Sequence, residues 1–394
     1  MSSLPTIEEA LALVLGAVQP LAAESVAVEA AAGRVAAADV VAAVDLPPFP
    51  SSAMDGYAVR AADTPGTLRI AGASAAGRPA ERGPAAGEAV EISTGAVVPD
   101  GADAVVPIER VQQTGGSVVV EQVSLGENVR PRGGDAAVGQ LVIPAGTILS
   151  AARAAAAAAT GVATVSCARR PRVAIATTGD ELRRPGEPLG PGQIYESNGL
   201  MLAALCRSAG AEVEHVATVG DDEDATRAAL EHGLAADVLV TSGGVSVGPH
   251  DLVRASLASL GANEVFWRVA VRPGKPVAFA TRGTTVVFGL PGNPVSSLVG
   301  FELFVRPALR ALQGAAPGPF FLPGRLDGRQ RRNDARDDLV RARLRVDDGA
   351  AWLEPLSGQE SHMIVRAAAA DALIHVPRGD GELEHGSAVR YLAV

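Results

Sequence analysis

Residues 238–248 read Val-Leu-Val-Thr-Ser-Gly-Gly-Val-Ser-Val-Gly, an apolar β-branched run that passes directly into serine and glycine. A short apolar run that ends in turn residues is typical of a buried strand. The same pattern, a strand followed by a short polar loop and then a helical segment, recurs between residues 170 and 312. We therefore expect a doubly wound α/β domain with a mainly parallel sheet.

Within this domain the apolar runs and caps predict the individual elements. The predicted strands are 172–177, 213–219, 238–241, 264–271, 277–281 and 285–290. The predicted helices are 200–205 (ending at Gly210), one that is capped near Asp221 or Asp222 and ends at Gly233, then 251–260 and 295–312.

The rest of the chain shows other sequence patterns. Thr6 and Glu9 form a capping-box pattern before a helix over 6–18, and Ser150 precedes an alanine-rich helix that Gly161 ends. Between them, short β-branched runs alternate with turn residues, and a hairpin is expected at 114–117, which predicts a small β-rich domain. Short strands return after about residue 316 and predict a C-terminal β domain.

Charge and composition exclude several classes of protein. The net charge is −10, which argues against a nucleic-acid binder. The basic stretch 325–345 alternates with aspartates as on a solvated surface or in an inter-domain ion network. Two cysteines cannot make a disulfide framework, so we expect a reducing cytoplasm. We also expect no secretion signal and no membrane span.

Lys275 is the only lysine among 34 basic residues. Arginine is a planar fork, whereas lysine is a compact point charge on a flexible stem. A chain that otherwise uses arginine therefore indicates that the ammonium itself is needed at 275, most plausibly against a phosphate or another small anion. Biased codon composition is the alternative explanation.

Four loops with glycine and polar residues are expected at one edge of the sheet, where ligands bind in open α/β folds: 177–181, 241–248 with Asp251 beyond it, 272–276 and 290–294. Each loop alone could be ordinary turn chemistry. Their convergence predicts a phosphate-type site with cradling backbone N–H groups at 242–248.

Acidic residues refine this prediction. Glu181, Asp221 and Asp251 each follow a predicted strand, while Asp222 is better explained as a helix cap. Carboxylates repel a phosphate unless a hard cation such as Mg²⁺ lies between them, so these three are the predicted metal ligands. His250 is equally well explained as an exposed loop residue or as part of the site.

Together these motifs closely resemble the molybdopterin molybdenumtransferase family, which includes MoeA and the E domain of gephyrin. The matching stretches are SAMDGYAV (52–59), Thr94-Gly95, RPRGGD (130–135), TGDEL (178–182), SGGVSVGPHD (242–251), PGKP (273–276) and GLPGNPV (289–295).

The resemblance implies a multi-domain α/β plus β fold with four domains. These are an elongated helical domain (1–44 and 137–169), a β-rich domain (45–136), a central molybdopterin-binding α/β domain (170–315) and a C-terminal β domain (316–394). It also implies a homodimer, in which the β-rich domain of one subunit faces the α/β domain of the other.

The reaction that the resemblance implies is insertion of molybdenum from molybdate into adenylylated molybdopterin, with release of AMP in the presence of Mg²⁺. The implied catalytic residues are Asp55, Asp135, Glu181, Asp221 and Asp251. The predicted cofactor-binding residues are Thr94, Thr178, Gly179, Ser242, Gly243, Gly244, Ser246, Lys275, Pro291, Gly292, Asn293 and Pro294.

One stretch departs from the family pattern. Residues 358–363 only loosely resemble the family's glycine- and serine-rich segment, so the resemblance assigns no site residue there. The adenylylated substrate should come from a separate adenylyltransferase, and acceptor molybdoenzymes should receive the product.

Two other functions compete with this one. A molybdopterin adenylyltransferase or related nucleotide-processing enzyme would share the α/β domain, but the SAMDGYAV domain argues against it. A non-catalytic carrier or scaffold would not need the acidic set.

Overall fold

The computed structural model describes residues 4–244 and 252–394. The chain divides into two compact units. The β-rich unit is Ser25–Cys167, and the α/β unit combines Met1–Glu24 with Ala168–Val394. Ala23–Ala27 and Thr164–Ala168 form a two-stranded sheet. The four domain boundaries expected from the sequence remain predictions.

The α/β unit is built on a six-stranded sheet. Its first four strands pair in parallel, and the fifth strand is antiparallel to both of its neighbours. The sheet is therefore mainly parallel, as predicted. In spatial order its strands are Glu212–Val219, Arg172–Thr178, Val238–Ser242, Thr285–Leu290, Ala278–Arg282 and Asn263–Trp267.

Alternate residues of the central strands enter two separate cores. Val173 and Ile175 pack into one core, while Ala174 and Ala176 pack into the other, because successive side chains of a strand point to opposite faces. Helices cover both faces, which confirms the doubly wound arrangement. The first core takes Ile7–Ala17, Asn198–Ser208, Pro294–Gly300, the π-helical turn Phe301–Val305 and Arg306–Leu312, and the second takes Glu223–Gly233 and Leu252–Ser259.

Helix starts follow the predicted capping chemistry. The Thr6 hydroxyl accepts a hydrogen bond from the Glu9 amide at 3.1 Å, and the Glu9 carboxylate accepts one from the Thr6 amide at 2.8 Å. Asp222 caps the helix Glu223–Gly233 by accepting from the Ala225 amide at 2.7 Å. Among the described residues, no helix is both long enough and apolar enough to cross a bilayer.

Two predicted elements of the α/β unit need correction. The predicted strand 264–271 is wrong as a single element, because Asn263–Trp267 ends at Arg268, whose φ of 76° lies in the left-handed region that a strand cannot pass through. The separate pair Val271–Arg272 joins the C-terminal sheet instead. The predicted helix 295–312 is helical throughout, but it contains the wider π-helical turn Phe301–Val305.

The C-terminal sheet closes into a five-stranded barrel. In pairing order the strands are Asp337–Asp347, Ala350–Pro355, Leu322–Leu326, Ala388–Ala393 and Ala372–Val376, and the last pairs again with the first. Smaller elements of the α/β unit are the helix Ile364–Ala367 and the paired strands Gln330–Arg331 with Glu382–Leu383 and Leu182–Arg183 with Ile194–Tyr195.

The basic stretch 325–345 is only partly the predicted solvated surface, and the ion pairs of Arg345 lie within the barrel rather than between domains. Arg345 does pair with Asp327 and Asp347, at 3.3 and 2.6 Å. Arg341, however, is only 1% exposed, and its guanidinium donates to the backbone carbonyls of residues 358, 360 and 363. Its apolar strand neighbours draw it into the barrel wall, where carbonyl oxygens replace water as hydrogen-bond acceptors.

The β-rich unit contains a second six-stranded sheet. Its spatial order is Ala104–Pro107, Gly56–Val59, Glu88–Ile92, Gly66–Ser74, Ser117–Val120 and Val111–Thr114, and Thr114 pairs with Ser117 across the predicted hairpin. Ser150 caps the predicted alanine-rich helix, Ala151–Ala159. Its other elements are the strands Val40–Val41, Ser51–Ser52, Val129–Arg130 and Leu141–Ile143 and the 3₁₀ turns Val28–Ala30, Ala61–Asp63 and Ile108–Arg110.

Glu88 is the most heavily paired carboxylate of this sheet. It accepts from Arg82 at 2.5 and 3.1 Å and from the Ala85 amide at 3.0 Å, and it also pairs with Arg69. The hydrogen bond from Arg82 is the main cause that lowers the Glu88 pKa from 4.5 to about 2. Because the folded pKa lies below the unfolded one, this carboxylate stabilises the fold above pH 4.5 and ceases to do so as the pH falls toward about 2.

We predict that Glu88→Gln lowers the thermal unfolding midpoint at pH 7 and reduces the loss of stability between pH 4.5 and about 2. Unfolding midpoints measured across that range, with Glu91→Gln on the same strand as the control, test this. An unchanged pH profile in Glu88→Gln would contradict the assigned role.

Candidate functional site

A cavity of about 580 Å³ opens at the edge of the α/β sheet where the parallel strands end. All four predicted loops contribute to its wall, the loop 272–276 through Pro276. The predicted site residues in the wall are Thr178, Glu181, Ser242, Gly244, Pro291, Gly292, Asn293 and Pro294.

Strand register brings these loops together. Thr177 pairs with Ser242, and Ser242 pairs with Leu290, so three strands reach the same row before they turn. All three strands are buried along most of their length, which fixes their register against slippage. The polar residues that follow each strand therefore meet at one place.

The buried hydroxyl of Ser242 is the centre of a hydrogen-bond network in the cavity wall. It accepts from Asn198 Nδ2 at 2.9 Å and donates to the Pro291 carbonyl at 3.2 Å. Asn198 Nδ2 also donates to the Gly292 carbonyl at 2.7 Å. Asn198 Oδ1 is buried and accepts no hydrogen bond from the described residues.

Gly243 marks a close approach between two loops. Its φ is 93°, and a Cβ built there would lie 2.8 Å from both the carbonyl and the hydroxyl oxygen of Thr178. Only glycine adopts this positive φ readily and, because it has no Cβ, lets the backbone come this close to Thr178. Its amide donates to the Leu290 carbonyl at 3.1 Å, which ties the loop to the next strand as well.

Asp180, which was not among the predicted site residues, anchors the loop that carries Asp221. Asp180 Oδ1 accepts from the Asp221 amide at 2.9 Å, which holds the loops after two neighbouring strands together. Glu181 lies in the cavity wall, and its side chain is exposed, with no ion-pair partner among the described residues. Asp221 lies outside the cavity wall, at the same edge of the sheet.

The lysine loop connects Asn263–Trp267 to the antiparallel strand Ala278–Arg282. Pro276 contributes to the cavity wall, while Lys275 is exposed beside it, and its carbonyl accepts from the Val269 amide at 2.9 Å. Arg272 has an ion-pair partner in the barrel, the buried Asp338. Burial raises the Asp338 pKa, and Arg272 opposes that effect.

The C-terminal segment 358–363, from which the sequence selected no residue, contributes to the cavity. His362 lies in the wall, and the Ser361 hydroxyl accepts from Asn293 Nδ2 at 2.9 Å. The buried guanidinium of Arg341 organises this segment by its bonds to three of its carbonyls. Nothing in the local sequence signals the hydrogen bond between Asn293 and Ser361, because these residues are 68 positions apart.

Sequence reasoning also missed the segment that precedes the helix Asn198–Ser208. The overlooked residues of the cavity wall are Leu182, Ile194, Tyr195, Glu196, Ser197, Asn198, His362 and Ile364. Thr177 and Pro276 also lie in the wall, in loops that the sequence predicted at the site. The sequence Ser197-Asn198-Gly199 could have indicated that a helix begins here, since serine and asparagine mark helix N-termini.

The remaining predicted residues of the α/β unit are placed as follows. Gly179 and Gly243 lie in the loops but not in the cavity wall. Ser246, His250 and Asp251, and part of the predicted cradle 242–248, lie outside the described residues. Within 4–244 and 252–394, no group of three histidine, cysteine, aspartate or glutamate side chains is arranged to hold a metal ion.

In the β-rich unit the structure brings two predicted residues into contact. Asp55 Oδ1 accepts from the Thr94 amide at 2.7 Å. The following Gly56 lies so close to the neighbouring strand that a Cβ there would meet the Val106 carbonyl oxygen at 2.0 Å. Asp135 is exposed at the end of the RPRGGD turn, and its amide donates to the Leu46 carbonyl at 2.9 Å.

We predict that Gly243→Ala lowers the free energy of unfolding by roughly 1–3 kcal/mol more than Gly186→Ala does. The two glycines have nearly equal φ, 93° and 92°, but nothing lies within 4 Å of a Cβ at Gly186. The difference therefore measures the contact with Thr178 alone. Urea unfolding of both variants tests this, and equal losses would show that the close approach is not needed.

Family models match nearly the whole chain. The MoeA N-terminal region (domain I and II) matches residues 5–161, the probable molybdopterin binding domain matches 174–311, and the MoeA C-terminal region (domain IV) matches 321–394.

Curated relatives and a solved structure agree with these matches. A Mycobacterium tuberculosis protein named molybdopterin molybdenumtransferase 2 is 42% identical and covers 81% of this chain and 82% of its own. A Nostoc protein named molybdopterin molybdenumtransferase is 38% identical, with coverage of 92% and 87%. The crystal structure of a molybdopterin biosynthesis MoeA protein from Pyrococcus horikoshii superposes with a TM-score of 0.83 at 31% identity, covering 100% of this chain and 99% of its own.

These matches confirm the expected family and fold class. The chain belongs to the molybdopterin molybdenumtransferase (MoeA) family.

Proposed function

We propose that this protein transfers molybdenum from molybdate into adenylylated molybdopterin and releases AMP. Membership of the family supports the reaction, since the curated relatives carry the name of that enzyme. The observation that carries the proposal is the cavity itself. Four polar loops converge on it, and the lone lysine lies on one of them, next to Pro276 in the wall.

The residues of the cavity suit an anionic pterin substrate. Asn198 Oδ1 is an acceptor without a partner among the described residues, and a pterin ring offers N–H donors. The Ser242 hydroxyl holds Asn198 in place through its bond to Nδ2. Lys275 supplies positive charge for a phosphate or for molybdate, and its ammonium has no carboxylate partner among the described residues.

Glu181 is the acidic residue best placed to act on the bound substrate. Its side chain is exposed in the cavity wall, where it can orient water or a cation next to the reacting phosphate. The cavity is wide enough, at about 580 Å³, for a ligand of the size of a pterin nucleotide.

Mg²⁺ fits this donor set as a cation shared with the substrate. Mg²⁺ is usually held by one or two carboxylates together with substrate phosphates, so a complete protein cage is not required. Glu181 and Asp221, on adjacent loops, would provide those carboxylates, and Asp251 would join them as the sequence predicts. The ion would neutralise charge between the acids and the phosphate.

We further propose a homodimer, in which Asp55, Thr94 and Asp135 of one subunit serve the cavity of the other. The support for this comes from the family resemblance and from the contact between Asp55 and Thr94. A separate adenylyltransferase would supply the substrate, and molybdoenzymes would accept the product. The two cysteines form no disulfide among the described residues and both are buried, which suits a reducing cytoplasm.

We predict AMP release when the purified protein is incubated with adenylylated molybdopterin, molybdate and Mg²⁺. Glu181→Ala should lower the rate by about 100-fold or more, because it removes a group that acts on the reacting phosphate. Glu187→Gln, an exposed carboxylate of the same loop outside the cavity wall, is the matched control. AMP release by the natural protein no faster than by Glu181→Ala would refute the transferase function.

We predict that Lys275→Arg lowers AMP release by about 10-fold, because a planar fork cannot occupy the space of a compact ammonium. The reverse swap Arg282→Lys, at the far end of the strand that follows the lysine loop, is the control and should leave the rate unchanged. Full activity in Lys275→Arg would mean that charge alone matters at this position.

A further inference from the structure

A second cavity, of about 650 Å³, lies between helices of the α/β sheet and the C-terminal barrel. Its wall includes parts of the helix Asn198–Ser208, the helical run 294–312, the segment 317–322 and the barrel strand Ala388–Ala393. It shares no wall residue with the cavity at the sheet edge. Its volume falls in the range of small-molecule sites, which is roughly 300–1,000 Å³. The molecule therefore has room for a ligand at a second, separate place.

Most of the wall of this second cavity is apolar. Leu205, Leu298 and Leu392 line it, together with Phe320 and Leu322. The side chains of Phe320 and Leu322 are 52% and 44% exposed. An apolar ligand would remove this surface from water, and the resulting stabilisation is proportional to the area that it covers.

One side of the second cavity carries three charged residues, spaced four positions apart along the helical run: Glu302, Arg306 and Arg310. Glu302 is only 6% exposed, and it accepts hydrogen bonds from Arg306 Nε and Nη2 at 2.7 and 2.8 Å. Arg306 Nη1 donates to the Ser208 hydroxyl at 3.3 Å. Every nitrogen of the Arg306 guanidinium thus has an acceptor, and Glu302 is neutralised.

Arg310 is the charged residue of this wall that lacks an acceptor. Among the described residues its half-buried guanidinium makes no hydrogen bond or ion pair, and it lies 4.8 Å from the centroid of the Phe320 ring. Burial is the main cause that lowers the Arg310 pKa; Arg306 lowers it further, and Glu302 opposes both effects. The three residues together carry one excess positive charge, and this charge sits on N–H donors that are withdrawn from water without a partner.

We propose that the second cavity binds a small organic carboxylate with an apolar body. The carboxylate pairs with Arg310, and the apolar body lies against Leu298, Leu322 and Leu392. A guanidinium holds a carboxylate through two parallel hydrogen bonds, and stacking on Phe320 leaves the N–H edge of Arg310 open to it. One carboxylate also matches the single excess charge of the wall.

Other classes of ligand fit this wall less well. A neutral or cationic ligand would leave the guanidinium of Arg310 without a partner. A phosphate or a nucleotide would place strongly hydrated groups against the apolar wall, and their desolvation would weaken binding. The proposal does not depend on the proposed function, because the two cavities have no wall residue in common.

Octanoate is the probe for this site, because it joins one carboxylate to a short alkyl chain. Octanol supplies the chain without the charge, and acetate supplies the charge without the chain. Binding to the whole protein is measured by calorimetry and by ligand-observed NMR. The variants are Arg310→Gln, which removes the charge, and Ala368→Trp, which fills the cavity from an exposed position of its wall.

Arg207→Gln is the matched control. Arg207 is an exposed arginine of the helix Asn198–Ser208, next to Ser208 but outside the cavity wall. The thermal unfolding midpoint of each variant without ligand shows whether it is folded. Octanoate should raise the midpoint of the natural protein and of Arg207→Gln alike, because a ligand that binds only the folded state stabilises it.

We expect Arg310→Gln to weaken octanoate binding by about 10-fold or more, which is the loss of a charged hydrogen bond. Octanol and acetate should each bind the natural protein about 10-fold more weakly than octanoate, or less tightly still. Ala368→Trp should lose octanoate binding although it keeps Arg310. Glu181→Ala should bind octanoate as the natural protein does, whatever its rate of AMP release.

Four results would overturn the proposal. Equal octanoate affinity of Arg310→Gln and the natural protein would assign Arg310 to packing against Phe320. Octanol that binds as tightly as octanoate would make the cavity a site for neutral apolar molecules. Octanoate binding that persists in Ala368→Trp would place the ligand elsewhere. The natural protein's failure to bind octanoate at millimolar concentrations would show that the cavity does not take this class of ligand.

Discussion

Parallel pairing of three buried strands is the constraint on which the site depends. Thr177, Ser242 and Leu290 lie in one row, and each strand turns within a few residues of that row. Since the strands are buried on both faces, a register slip would place their apolar residues against the wrong core. The loops are thereby held at fixed separations, and the hydrogen bonds of Ser242 to Asn198 and Pro291 act on groups that are already close.

The C-terminal barrel completes the site from outside the parallel sheet. It pairs with Val271–Arg272 at the start of the lysine loop, and its buried Asp338 engages Arg272. It also contributes the segment 358–363. The buried Arg341 guanidinium donates to carbonyls of this segment, and the Ser361 hydroxyl accepts a hydrogen bond from Asn293. A barrel with its own core thus positions two parts of the neighbouring cavity, which accounts for polar and charged groups buried at its edge.

Much of this architecture could be predicted from the sequence, because the signals were local. Each local signal involves residues only a few positions apart. These signals are the capping residues Thr6 and Asp222, the hairpin at 114–117 and the strand runs that end in glycine. Predictions from the sequence were wrong, or absent, where the contacts join residues that are far apart in the chain. The apolar run 264–271 gave no sign that Arg268 adopts a left-handed conformation, and no local pattern reveals that Arg341 is buried or that His362 reaches the cavity.

The most direct test of the central claim is hydrogen–deuterium exchange of the intact protein with and without adenylylated molybdopterin. If the cavity at the sheet edge binds the anionic substrate, amides of residues 177–182, 242–244, 268–277 and 291–295 should exchange more slowly in its presence. The barrel segment 358–364 should be protected with them. Unchanged exchange in all of these segments, with protection elsewhere in the chain, would contradict the account.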